Sequence, residues 1–306
     1  MMPLIAIAGG SLYGTDFAMQ FTTTGASETL TIPCQNVGTF NATIDWGDGG
    51  PTSAITAYND ANLVHTYAVA GDYDVRISGT FPNIQFNNAG DKLKLKQIYQ
   101  LGSVGLTRLD RAFWGCTNLT SACAHAVNNT AAVTNLYTTF YNCTGLTTLD
   151  VSSWNTAAVT NMSYMFLGCS SLTTLDVSSW NTAAVTTMYA MFYNCTGLTT
   201  LDVSSWNTAA VTNMGNMFFN CTGLTDIAID GWNIAAVTNL INYMTNVTLP
   251  TTRYDATLVA WDAQAVKPSL SVDFGGSKYT LGSAADTARA HLVSADLWTI
   301  LDAGGI

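Results

Sequence analysis

The run from Leu146 to Asn161 (LTTLDVSSWNTAAVTN) returns almost unchanged from Leu172 and again from Leu198. Landmarks recur every 26 residues: Trp154, Trp180, Trp206 and Trp232; Val159, Val185, Val211 and Val237; Phe166, Phe192 and Phe218; Cys143, Cys169, Cys195 and Cys221. An earlier unit, Leu119 to Asn135, carries one inserted residue, so Cys116 precedes Cys143 by 27. A degenerate unit runs from Leu224 to about Met244, with Ile227 and Ile229 at the Leu and Val positions. A fixed period of this length means that each unit contacts its neighbours and buries its apolar side only by stacking.

Each unit reads in two halves. Leu-x-x-Leu-x-Val is a short strand, apolar inward, with Thr, Asp and Ser outward. Val-Thr-Asn-Met-x-x-Met-Phe-x-x-Cys has apolar residues at i, i+3, i+6, i+7 and i+10, which predicts a helical or 3₁₀ segment. Stacking such units predicts a solenoid with a parallel strand ladder on one face, its strands including Leu146–Val151, Leu172–Val177 and Leu198–Val203. The fold class expected for the whole chain is mainly β with short helices.

Charge narrows the partners. The net charge is −10, and no Lys or Arg lies between Arg111 and Arg253. Displacing counterions from a nucleic-acid backbone needs a basic patch, so nucleic acid is excluded as a partner of the array, and an anionic membrane surface is disfavoured for the same reason. No apolar run approaches the roughly 20 residues of a membrane span, so membrane insertion is not expected. Residues 1–16 carry a short apolar stretch without the basic flank of a signal peptide, and are expected to be an attachment segment. The C-terminus has no hydrophobic tail.

From Leu149 to Cys169 the pattern LDVSSWNTAAVTNMSYMFLGC is similar to the 26-residue leucine-rich repeats of BspA-like bacterial surface proteins, over roughly residues 106–248. That family usually has Asp after the repeat Trp, whereas this chain has Asn155, Asn181, Asn207 and Asn233. The resemblance implies a non-enzymatic adhesion or interaction protein of a kind also found in phage. Upstream, Ile44-Asp-Trp-Gly-Asp-Gly49 and His65 to Ile77 resemble a PKD-type (polycystic-kidney-disease-type) immunoglobulin-like domain, which implies a β-sandwich over residues 17–90. Asp48-Gly49 is a tight-turn dipeptide, and Tyr73, Val75 and Ile77 alternate as a half-buried strand should. The solenoid is then assigned to 91–249. Residues 250–306 read as a small α+β cap: helical spacing from Tyr254 to Ala263, a strand from Leu270 to Phe274, Ser283 as N-cap of a helix from Ala284 to about Ala295, and a strand from Leu297 to Leu301.

Binding candidates fall into two groups. Tyr137, Tyr164, Tyr189 and Asn216 differ within otherwise fixed units, as a contact surface requires. Asp150, Asp176 and Asp202 form a carboxylate ladder, the only charges between Arg111 and Asp226. Their mutual repulsion, roughly 0.8 kcal/mol per pair in water, is relieved by a cation, by solvation or by a bond to the backbone. The Trp ladder is a packing spine or a sugar platform. Asp45 and Asp48 offer carboxylates for Ca²⁺. The in-register cysteines lack zinc-site spacing and read as buried thiols. His65, His125 and His291 belong to no catalytic motif, so no catalytic residue and no resident cofactor are assigned. The function expected is surface recognition of a host glycan or protein by a phage virion component (a tail or head fibre-like protein), joined to other virion proteins through its N-terminal segment. A secreted or surface-displayed bacterial adhesin is the alternative, and a glycan-active enzyme the third reading.

Overall fold

A computed structural model describes residues 13–124 and 127–306. Among the described residues the chain is mainly β, with two α-helices. The N-terminal strands are β1 (Phe17–Thr23), β2 (Glu28–Thr31), β3 (Asn41–Asp45), β4 (Ser53–Ile55), β5 (Val64–Tyr67) and β6 (Gly71–Thr80). β1 runs antiparallel to β6 on one side and to β7 (Leu95–Gln100) on the other. β2 and β5 pair separately, Leu30 opposite His65. At the expected Asp48-Gly49 turn, Gly49 has a φ of +77°. Just before it, the φ of +78° at Gly47 and its approach to Asp74 leave no room for a Cβ: one built there would lie 2.6 Å from the Asp74 carbonyl oxygen. Trp46 and Tyr67 are fully buried, and the Tyr67 hydroxyl donates to the Trp46 carbonyl.

The boundary expected near residue 90 falls inside one continuous sheet. Its order is β4-β3-β6-β1-β7-β8-β9, with β8 at Ser121–Ala122 and β9 at Thr148–Leu149. β7 is the hinge of this arrangement, antiparallel to β1 and parallel to β8. The first unit of the array is thus hydrogen-bonded to the N-terminal sheet, which covers the apolar end it would otherwise expose.

Beyond β9 the units stack in parallel. β10 (Thr174–Leu175) pairs with β11 (Thr200–Leu201) in register, and bridges join Asn135, Asn161, Thr187, Asn213 and Asn239 in succession. Identical side chains therefore meet each other. Phe113, Phe140, Phe166, Phe192 and Phe218 stack at 5.4–5.9 Å between ring centres, and Trp154, Trp180, Trp206 and Trp232 at 6.0–6.5 Å. Polar atoms repeat as well: the indole N–H groups of Trp180, Trp206 and Trp232 donate to the carbonyls of Val151, Val177 and Val203. The Trp ladder is a packing spine, since all four rings are buried.

Two expectations for the unit need correction. The strands are two residues long, not six. The Val-to-Cys half forms turns, not a helix. Between Met162 and Cys169, the N–H groups of Met162, Tyr164, Phe166 and Gly168 donate to carbonyls of the next unit, while those of Met165, Leu167 and Cys169 reach back three residues. Positive φ at Tyr164 and Gly168, repeated at Ala190 and Asn194 and at Asn216 and Asn220, breaks any helix. The apolar spacing was real, but stacked neighbours supply hydrogen-bond partners that an isolated helix would have to find within itself.

The C-terminal unit continues the stack. α1 (Thr251–Asp262) lies against the last repeat, where the Trp261 indole donates to the Ile229 carbonyl. Arg253 pairs with Asp226 and Asp230, and the Gln264 side chain accepts from the Ile234 N–H and donates to the Trp232 carbonyl. β12 (Ser271–Asp273) is bridged to Leu240 and pairs in parallel with β13 (Thr299–Leu301). α2 (Ala284–Ser294) begins at Ser283, whose hydroxyl accepts from the N–H groups of Ala285 and Asp286.

Candidate functional site

The turn-rich half of each unit positions a row of half-buried aromatic side chains. Tyr137 and Tyr189 occupy one repeat position, Ser163 and Gly215 the same position in the intervening units. Tyr164 and Asn216 occupy the next position, shared with Thr138 and Ala190. Large and small residues therefore alternate: where one position is Tyr, its neighbour is Thr or Ala, and where it is Ser or Gly, its neighbour is Tyr or Asn. The result is a zigzag with room for each ring. Tyr164 meets Tyr137 edge-on at 5.7 Å and Tyr189 at 5.2 Å, and the Asn216 amide donates to the Tyr189 hydroxyl at 2.9 Å. Arg111 lies 5.5 Å from the Tyr137 ring centre and closes the row at one end. Burial, followed by the neighbouring tyrosines, raises the Tyr164 pKa, so its hydroxyl stays a neutral donor.

A second row runs beside the first. Trp114 packs on Tyr141 at 5.2 Å, Tyr141 reaches Tyr164 at 6.3 Å, and Tyr193 stacks on Phe219 at 4.5 Å, nearly parallel. These four rings were not among the sequence candidates. The signal was present: Tyr141, Tyr193 and Phe219 each lie two residues before a ladder cysteine. Tyr141 joins the first row through Tyr164, whereas Tyr193 and Phe219 form a separate pair, with Leu167 at the equivalent position between Tyr141 and Tyr193. Beyond Arg111 this aromatic strip carries no charged side chain of its own.

The three aspartates lie on another face. Asp150, Asp176 and Asp202 are exposed and line an open trough of about 570 Å³ with Leu149, Leu175 and Leu201 between them. Each carboxylate is already engaged. Its Oδ1 accepts from both the backbone N–H and the hydroxyl of the serine two residues on: Ser152, Ser178 and Ser204. The Ser204 hydroxyl and N–H lower the Asp202 pKa. A local bond to the chain is thus one source of relief that this exposed ladder uses. The seven binding candidates thus fall on two separate surfaces.

The remaining candidates have structural partners. Asp45 is paired with Arg76 at 3.1 Å and accepts from the Gly47 N–H. Asp48 accepts from the Gly50 N–H and pairs with His65 at 2.8 Å. Both carboxylates that the sequence offers to Ca²⁺ thus take part in internal contacts. His65 stacks on Trp46. All seven cysteines are free thiols. Cys143, Cys169, Cys195 and Cys221 are buried, and each thiol donates to a phenylalanine carbonyl of the preceding unit. Burial pushes the Cys169 and Cys221 thiols up to about 12, so they are not reactive thiolates. His125 and most of the expected attachment segment 1–16 lie outside the described residues. Among the described residues, no helix is long and apolar enough to cross a membrane.

The sequence matches a family described as "Mycoplasma protein of unknown function, DUF285" over residues 107–222 and 174–278. These matches together span more than half of the chain, which therefore belongs to that family. No curated protein and no solved structure matches it.

Proposed function

We propose that this member of the family is a non-enzymatic surface-recognition protein that presents its aromatic strip to a host-surface glycan or protein. The carrying observation is the interlocked zigzag of Tyr137, Tyr164, Tyr189 and Asn216. Rings already ordered by their neighbours lose little conformational freedom on binding. Each offers an apolar face with a polar handle, suited to stacking on a sugar ring while hydroxyl and amide groups take up its hydroxyls. A strip with so little charge favours a neutral ligand and a binding strength that depends weakly on salt.

On this reading the array is a leucine-rich-repeat solenoid of the BspA-like kind, residues 17–90 are a PKD-like sandwich acting as a spacer, and residues 250–306 are the cap. We place it first on a phage particle, with residues 1–16 contacting other virion proteins. Buried, unpaired thiols suit a chain folded in a reducing cytosol, which supports that setting. A secreted or surface-displayed adhesin would use the same strip. A glycan-active enzyme comes third, because the outward carboxylates are exposed and tied to their own serines.

The test is binding to glycan arrays and to whole cells by the full chain and by a Tyr164→Ala/Tyr189→Ser double variant. Ala and Ser are the residues that neighbouring units carry at those positions (Ala190 and Ser163), so the fold tolerates them. Losing two anchor rings is expected to weaken binding about tenfold or more, with unchanged melting. Unchanged binding would overturn the assignment to the aromatic strip. Loss of binding in an Asp150→Asn/Asp176→Asn variant instead would move the site to the carboxylate face.

A further inference from the structure

The C-terminal unit holds a cluster that the recognition surface does not use. Asp262 ends α1, His291 sits in the last turn of α2, and Asp296 follows in the turn that leads to β13. One ligand atom from each lies within 4.8 Å of the other two. The His291 Nδ1 is 2.6 Å from Asp262 Oδ1 and 3.9 Å from Asp296 Oδ2. Among the described residues, this is the one place where three such groups converge.

We propose that Asp262, His291 and Asp296 form a binding site for a divalent transition-metal cation of the zinc type. The donor set, one imidazole nitrogen and two carboxylate oxygens, suits a borderline cation better than Ca²⁺, which takes six to eight oxygens. Bonds of about 2.0–2.2 Å place neighbouring donors roughly 3–3.5 Å apart, so the short pair opens slightly and the long pair closes. Asp262 and Asp296 are partly exposed and His291 is more than half exposed, which leaves access for the ion and for the waters that complete its shell. The field helps: both helices direct their C-terminal, partially negative ends here, and the two carboxylates add to it.

A cation bound here would tie the ends of α1 and α2 to the turn before β13. That turn is already joined to the segment before β12, where the Ser269 N–H donates to the Asp296 carbonyl. The ion would therefore strap the unit that covers the last repeat. Its competitor is the proton. A cation of this type takes the neutral imidazole, so its binding releases the ring proton.

The experiment is calorimetric titration of the full, tag-free chain with Zn²⁺ at pH 8, with melting followed in parallel. Cys34→Ser is carried as the background, since Cys34 is the thiol that is not fully buried. One ion per chain and a rise in melting temperature are expected. His291→Gln and Asp296→Asn should each weaken binding by more than the 10–100-fold typical of losing an outer-sphere partner. Co²⁺ should give a visible absorption band that both variants lose. If one variant folds poorly, as judged by its metal-free melting, the other decides. No saturable Zn²⁺ binding by the parent chain, or binding that survives both substitutions, would overturn the proposal and leave the cluster as an ion pair.

Discussion

The N-terminal region and the repeat array are hydrogen-bonded into one sheet, yet they are held together by different means. The N-terminal region depends on pairs that occur once: Lys94 with Glu28 and Asp91, Arg76 with Asp45, His65 with Asp48, and the Asp60 carboxylate with the N–H groups of Thr56 and Asn62. Between Arg111 and Asp226, over more than a hundred residues, the array has three charged side chains and no ion pair among them. Its apolar groups meet copies of themselves, and polar groups such as the Trp180, Trp206 and Trp232 indole N–H meet the same acceptor from unit to unit. Translation by one repeat satisfies such groups with the same geometry, so no unique partner has to be specified for them.

That contrast is most exposed to a cut in a ladder. Phe192 is fully buried and stacks on Phe166 and Phe218. Phe192→Ala should cost about 3–5 kcal/mol and, because it severs nearest-neighbour coupling, should split urea unfolding of the array into two steps. Circular dichroism and tryptophan fluorescence would report this. A loss below about 1 kcal/mol, with a single transition, would mean that the ladder is not what holds the array.

A smaller effect is expected where backbone shape sets the unit. Asn194 has φ +58°, and Gly168 stands at the equivalent position one unit earlier with φ +74°. Asn194→Val should lose about 1–2 kcal/mol, because a branched side chain resists the left-handed region. Asn194→Gly should lose far less, despite giving up the bond from the Asn220 amide. Equal losses would assign the position to its hydrogen bond and not to its conformation.

The smallest effect concerns acid. The Glu28 carboxyl is held down to about 2 by the Thr24 N–H, then by Lys94 and the Gly25 N–H, against an ordinary value of 4.5. The Gly50 N–H lowers Asp48, and the Thr56 and Asn62 N–H groups lower Asp60. A folded pKa below the unfolded one gives stability that is present above about pH 4.5 and is lost as pH falls toward 2. Hydrogen exchange at pH 5 and pH 3 should therefore show β2 and β5 opening more readily at the lower pH, while β10 and β11, with only Asp202 lowered beside them, change less. Equal loosening of both regions would erase the distinction.

Much of this was legible in the chain before folding. The 26-residue period required stacking, because one unit cannot cover its own apolar side. The same period placed the Phe, Trp and Cys ladders inside and Asp150, Asp176 and Asp202 together outside, and Ser283 marked the start of α2 by its capping chemistry. The helical reading of the Val-to-Cys half failed because apolar spacing reports which side chains are buried, not where the backbone N–H groups find partners. Those partners lie one unit away, and left-handed residues such as Tyr164 and Asn220 turn the chain to meet them. Tyr137, Tyr164, Tyr189 and Asn216 could be picked out as variable positions. Their interlocking into one strip, with Trp114 and Tyr141 beside it, depends on which rings face each other across units. The sequence by itself determined the stacking, its period and its buried ladders, since these follow from repetition and from the cost of exposing apolar surface. Only the tertiary structure decided that two rows of candidates lie on different faces, and that Asp262, His291 and Asp296 meet. Such encounters are set by turn geometry and helix packing between segments that no spacing rule connects.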